Sequence, residues 1–242
     1  FKKKTAYEVM TEEAKKEMEE YSKEYMWYID HSKTEREAVR SGIALLEKKG
    51  FVPYSMGDKI EKGGKYYFNN RGKALYAFRI GSESLEEGIR ISAAHIDSPR
   101  LDLKPNPLYE EADIGYFKTH YYGGIKKYQW TTIPLALHGV VYRADGAVVT
   151  VTIGEDEGDP ILMVSDLLPH LAADQMQKPA GKIIEGEQLN VILGSEPLEG
   201  DGSDLVKLHI MKLLNEKYGL VESDFLSAEL TVVPAGRCRE AG

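Results

Sequence analysis

Apolar residues recur every three or four positions near the start of the chain, at Ala14, Met18, Tyr21, Tyr25 and Tyr28. That spacing predicts an amphipathic helix over 11–29 with Thr11 as its N-cap and the tyrosines as a core seam. A second helix is predicted from Thr34, where Glu37 completes a capping box, to a stop near Gly50 with Lys48 and Lys49 in the last turn. The period then shortens. Residues 51–54, broken by Pro53, read as an edge strand, and 65–68 and 73–80 flank the turn residues Asn69-Asn70-Arg71-Gly72 as a hairpin.

After a polar loop at 81–88, the run Ile89 to Ala94 is short, apolar and partly β-branched, which predicts a buried strand. It delivers His95 and Asp97 just before Pro99, where regular pairing must stop. Residues two apart on an extended chain point to the same side, so both polar groups can face one site while Ile96 packs behind. An imidazole beside a carboxylate is a common way to build a metal ligand and fix its tautomer. The same residues also fit a histidine satisfied at a strand end with Asp97 serving a turn. Spacing alone leaves both readings open.

From 101 to 226 the texture is β-rich, with Pro105, Pro107, Pro134 and Gly123-Gly124 interrupting short strands. Leu135 to Arg143 and Ala147 to Ile153 form a predicted hairpin around Ala144-Asp145-Gly146. The acidic run Glu155–Asp159 lacks the spaced EF-hand pattern and reads as a solvated loop. Ser165 is placed as the cap of a helix through Met176, and a flexible 193–203 segment leads into a helix over 203–218 that ends at Gly219. Residues 227–233 read as a last strand. Helices followed by several strands suggest a layered α/β unit, a class that places its chemistry at the C-terminal ends of strands.

Composition narrows the function classes. The 242 residues carry a net charge of −8 with both signs intermixed, which argues against a nucleic-acid partner. The apolar fraction of 42% supplies an ordinary core, and no run approaches the ~20 apolar residues of a membrane span. Cys238 is the single cysteine, so an internal disulfide is excluded and a reducing compartment fits. Lys2 to Lys4 give a basic start with no apolar run behind it, unlike a secretory signal. A first residue Phe1 and a last segment Glu-Ala-Gly lead to the expectation that the chain is part of a longer protein.

The segment Ala94-His95-Ile96-Asp97-Ser98-Pro99-Arg100 with its continuation to Pro107 resembles the stretch that carries the first metal ligand in the M18 aminopeptidases, the aspartyl aminopeptidase group. Gly123–Trp130, Asp166–Ala172 and Glu185–Val191 extend the resemblance, in order, along nearly the whole chain. The resemblance implies a Zn-peptidase-like α/β/α catalytic domain, partial here, interrupted by an inserted β-rich domain. The implied boundaries are 1–100 for the catalytic part, 101–226 for the lid or oligomerisation insert, and 227–242 for the return to the catalytic sheet. It implies a cytoplasmic zinc exopeptidase that hydrolyses the N-terminal residue of peptides with a water activated by two Zn²⁺ ions, Co²⁺ or Mn²⁺ being alternatives. It further implies a large homo-oligomer, dimer-based and up to a dodecamer, while the charge pattern and the apolar runs given above point to no nucleic-acid and no membrane partner. In that frame His95 is a metal ligand and Asp97 the carboxylate behind it. His170, in Leu-Pro-His-Leu, is a second ligand or a pocket residue offered to a neighbouring subunit. Further ligands and a general-base glutamate would come from downstream segments. The competing reading is a non-catalytic oligomerisation or binding module with a vestigial metal site.

The other histidines carry blander expectations. His31 is read as a surface residue in a connection, His120 and His138 as packed or surface groups in strands, and His209 as facing a partner or water. Asp102 is expected in a turn or salt bridge. No Gly-x-Ser-x-Gly elbow or P-loop occurs, and Cys238 has no catalytic signature.

Overall fold

A computed structural model describes residues 3–241; Phe1, Lys2 and Gly242, noted above, lie outside them. The architecture is mixed α/β and divides into two compact units. One is the chain up to Asp97 together with the segment from Arg237 onward, and the other is Ser98–Gly236.

The first unit begins with α1 (Ala6–Val9) and α2 (Glu12–Asp30). Thr11 caps α2 as expected, its side chain accepting from the Ala14 N–H. The tyrosine seam is not a core, however: no residue of α2 is buried, and Tyr21 and Tyr25 are exposed. Of the predicted positions Ala14, Met18 and Tyr28 are half-buried, and they share that side of the helix with Ser22, Met26 and Trp27. Helix α3 (Glu35–Lys48) has the full capping box, Thr34 Oγ1 accepting from Glu37 N–H at 3.3 Å and Glu37 Oε2 accepting from Thr34 N–H at 3.0 Å. Such a cap stabilises a helix by about 1 kcal/mol.

Strand β1 (Val52–Pro53) pairs parallel with β2 (Lys65–Asn70), which pairs antiparallel with β3 (Ala74–Arg79). The β2–β3 turn is the predicted one. Arg71 and Gly72 take φ of 58° and 70°, and Asn69 Oδ1 accepts from Gly72 N–H at 2.8 Å. One sheet face packs on α3, where Leu75 seats against Gly42 and the buried Tyr67 donates its hydroxyl to Glu47 Oε1 at 2.7 Å. That bond, then burial, raise the Tyr67 phenol above its ordinary pKa, because both disfavour the phenolate.

The predicted strand at 89–94 does not form. Residues 88–99 are irregular, and Ile89 and Ile91 are 66% and 79% exposed. A strand exists only when a neighbour accepts and donates its ladder bonds, and the sheet order β1-β2-β3 leaves this run outside.

The second unit is a six-stranded antiparallel sheet in the order β7-β6-β9-β4-β5-β8. Its strands are β4 (Arg100–Glu111), β5 (Ile114–Tyr122), β6 (Leu135–Tyr142), β7 (Val148–Ile153), β8 (Val191–Gly194) and β9 (Ala228–Pro234). The β6–β7 hairpin is as expected. The long β4–β5 hairpin is not evident from sequence, because Pro105 and Pro107 would ordinarily break a strand. They fall in the register shift between Leu103 and Leu108, where Asn106 takes φ 51° and no ladder donor is needed.

Two corrections follow. The 227–233 strand, expected to rejoin the catalytic sheet, is β9 and lies in the middle of this sheet between β6 and β4. The helix expected over 165–176 shrinks to α4 (Ala173–Met176). Helix α5 (Leu205–Tyr218) is present and ends at Gly219 with φ 69°. Its N-terminus is not capped by the adjacent Asp204. Instead Glu110 of β4 reaches over and its Oε2 accepts from the Val206 and Lys207 N–H groups, both at 2.9 Å. The core between sheet and helix holds Leu101, Phe117, Leu135, Leu137, Val151, Leu189, Val232 and Leu214, with Phe225 edge-on to Phe117 at 5.7 Å.

Candidate metal site

His95 and Asp97 are brought together as the two-residue spacing suggests, although on irregular chain rather than at a strand tip. His95 Nδ1 lies 2.9 Å from the Asp97 carbonyl oxygen and 3.1 Å from Asp97 Oδ1. Both neighbours are acceptors, so Nδ1 is the nitrogen that carries the proton and donates. This assignment leaves the Nε2 lone pair as the ligating position. The imidazole is 83% exposed and the carboxylate 34%. The donor chemistry, an exposed imidazole whose other nitrogen is held by a carboxylate, is of the kind that suits a divalent metal such as zinc. A complete zinc centre needs three or four protein ligands, and the described residues contain no group of three or more His, Cys, Asp and Glu able to hold an ion. Two groups alone are too few to hold a zinc ion.

His170 belongs to the second unit, exposed in the turn before α4. Around it Leu167, Leu168, Leu171 and Met176 are also exposed, so this short segment shows solvent an apolar surface with one imidazole in it.

The remaining histidines are placed by ordinary structure. His31 stacks on Trp27 at 4.7 Å, and His209 Nδ1 contacts the Glu196 carbonyl at 2.9 Å. His120 is exposed on β5 and stacks beside Tyr121. Asp102 accepts from Arg100 Nε at 2.7 Å, the salt bridge expected of it.

His138 is the one buried imidazole, 4% exposed, with Nε2 at 3.0 Å from Glu155 Oε1. The acidic run 155–159 is accordingly not all solvated. Glu155 also accepts from Gly236 N–H at 3.1 Å, and Asp159 accepts from Gly154 N–H at 2.9 Å and Lys217 Nζ at 3.0 Å. Burial alone would raise the Asp159 carboxyl, but the Lys217 ammonium and the backbone donors outweigh it and hold the group below its ordinary value. A charged run in sequence does not reveal such long-range partners, because the lysine is 58 residues away.

The family model for aminopeptidase I zinc metalloproteases (M18) matches residues 28–242. A probable M18 family aminopeptidase 1 from Clostridium acetobutylicum is 54% identical over 220 residues, covering 89% of this chain and 47% of that protein. The crystal structure of an M18 aminopeptidase from Thermotoga maritima superposes with a TM-score of 0.91 at 43% identity, covering all of this chain (100%) and 52% of that one. Aminopeptidase I from Borrelia burgdorferi B31 gives a TM-score of 0.86 at 34% identity, with 99% of this chain and 55% of that one covered. The chain thus spans about half the length of the relatives it matches. With a family match across most of its length and relatives of this identity, the chain belongs to the M18 family of aminopeptidase I zinc metalloproteases.

Proposed function

We propose that the polypeptide to which these residues belong is a zinc aminopeptidase that removes the N-terminal residue of peptides, and that residues 1–242 supply one corner of its metal centre. The observation that carries this reading is the His95–Asp97 pair. A carboxylate and a carbonyl both accept from Nδ1, which puts a proton on that nitrogen and turns Nε2 outward as the ligating position. His95 is the ligand in this reading and Asp97 a positioning residue. A bound pair of zinc ions supplies a water of lowered pKa and a polarised scissile carbonyl. The chain's own part is to hold one imidazole at a set angle, in the tautomer that can ligate.

Residues Ser98–Gly236 act in this reading as an inserted module between the two stretches of the first unit, and the polypeptide works as a homo-oligomer in the cytoplasm. Support for the oligomer is the exposed apolar segment around His170, because contiguous exposed leucines on a folded domain commonly mark an interface. His170 would then meet a neighbouring copy's site as ligand or pocket residue.

The decisive experiment uses the polypeptide translated to its natural stop codon. His95→Ala should lower bound zinc and reduce kcat/KM on peptide substrates by at least ~10³. Asp97→Asn, which keeps the shape but weakens the hold on the imidazole, should lower zinc affinity by about 10–100-fold. Unchanged zinc content and unchanged peptidase activity in His95→Ala would remove the basis of the reading.

A further inference from the structure

In the second unit one turn holds its apolar side chains away from the core. The segment before it is tied in by the bridges Leu135–Leu162 and Thr131–Val164, and Leu162 and Val164 are buried. The next buried residue along the chain is Ala172. Between these anchors Leu167, Leu168, His170 and Leu171 are exposed, Leu171 by 71%. The hydrophobic effect drives such side chains inward, so an outward turn keeps its shape only if polar bonds hold it. Asp166 supplies them. Its Oδ1 accepts from the Leu167 N–H at 2.8 Å and from Gln175 Nε2 at 2.9 Å. Its Oδ2 lies 3.3 Å from the hydroxyl of the buried Thr131, which also reaches the Tyr128 carbonyl at 3.1 Å. Within the turn the Leu171 N–H donates to the Leu168 carbonyl at 2.9 Å. One carboxyl group thus joins the start of the turn, its far end and a buried residue of the body beneath.

We infer that Asp166 is a positioning residue for the peptidase reaction: by clamping the 167–175 turn between Thr131 and Gln175, it fixes where the imidazole of His170 stands. This assignment rests on the reading of His170 given above, as the group that meets a neighbouring copy's site, and adds what holds it in place. An imidazole on an unrestrained turn samples many positions and must be ordered at the moment of contact, at an entropic cost. A turn shaped beforehand avoids that cost, and misplacing a working group by ~1 Å can cost about 10²-fold in rate. Asp166 acts here through its shape and its acceptors rather than through charge. Asp166→Asn therefore keeps every contact, because the amide oxygen accepts from both donors while the amide nitrogen donates to Thr131 Oγ1. The threonine hydroxyl still has its own proton for the Tyr128 carbonyl. Asp166→Ala keeps none of them.

The test is made on the polypeptide translated to its natural stop codon, with kinetics read on aspartyl and leucyl para-nitroanilides. Asp166→Ala should lower kcat/KM by about 10–100-fold, the usual loss when a group that orients a working side chain is removed. It should shift the melting temperature by less than ~2 °C, because the turn is solvated. Asp166→Asn should stay within ~3-fold of the parent in kcat/KM. With both Asp166→Ala and His170→Ala, the loss should equal that of His170→Ala alone, since the two changes act through one imidazole. Amide exchange at Leu167 should quicken in Asp166→Ala and stay slow in Asp166→Asn. Gln175→Ala frees only the far end of the turn and should give a smaller loss that again vanishes beside His170→Ala; it carries the test if Asp166→Ala does not fold. Parent-like kinetics in Asp166→Ala, or losses that add in the double variant, would overturn the inference. So would an Asp166→Asn as poor as Asp166→Ala, which would give the carboxylate charge a role of its own. Parent-like activity in His170→Ala sinks the reading of His170 together with its clamp, whereas a damaged His170→Ala beside a parent-like Asp166→Ala sinks the clamp alone.

Discussion

The two units differ in how far each satisfies itself. Among the described residues, only Val39 of the twelve largest fully buried side chains lies in the first unit, and the other eleven, from Leu101 to Leu220, lie in the second. The second unit pairs six strands and closes one face with α5, so the apolar residues of its core have partners within 98–236, although Leu167, Leu168, Leu171 and Met176 around His170 stay exposed. The first unit has three strands, one of them two residues long, and leaves Ile89, Ile91 and Tyr76 in water. Net stability is a small difference between large terms, so a unit short of buried area opens at lower cost. The difference teaches that two units of one chain can differ widely in how far each fills its own core.

Substitutions in the second unit can break that comparison most sharply. Gly139 sits in β6 at φ 145°, and a Cβ there would come within 1.9 Å of the Glu229 carbonyl oxygen on β9. Gly139→Ala must push two central strands apart and should cost on the order of 4 kcal/mol or more, read as loss of the cooperative urea transition of 98–236. Phe117→Ala empties a fully buried site against Phe225 and should cost about 3–5 kcal/mol in the same transition. If either left the transition in place, the second unit would not be the tightly packed one.

Smaller effects sharpen the picture. Glu110→Ala removes the carboxylate that accepts two N–H groups at the start of α5 and should cost about 1–2 kcal/mol. Exchange at Val206 and Lys207 should rise before the rest of the helix. In the first unit, Tyr67→Phe deletes the bond to Glu47 and should cost about 1 kcal/mol, visible as faster exchange of α3 and β2 with the second unit unaffected.

The smallest effect is a pH dependence. Asp159 has a carboxyl held below its ordinary pKa, so it contributes stability that is present above the carboxylate range. That contribution is lost as pH falls below about 4 and through the lowered value. The stability gap between wild type and Asp159→Asn, under ~1 kcal/mol for a pair whose lysine is half exposed, should therefore shrink from pH 6 to pH 3. A gap that widened in acid would contradict the sign.

Local chemistry was readable along the chain because its causes lie within a few residues. Thr34 and Glu37 meet across one helical turn, Arg71-Gly72 needs positive φ, and His95 and Asp97 are two apart. All of these take the form their spacing implies. Pro105 and Pro107 misled, because a bulge hides prolines that periodicity counts as breaks. The family resemblance along the chain also agrees with the comparisons.

Tertiary structure alone decided the rest, since burial and pairing depend on residues far away in sequence. Glu110 caps a helix that begins 95 residues later, Lys217 answers Asp159, and β9 enters the sheet between β6 and β4. The same rule explains Ile89 to Ala94: its sequence has strand character, but a strand is a relation between two backbones, and among the described residues none pairs with this run.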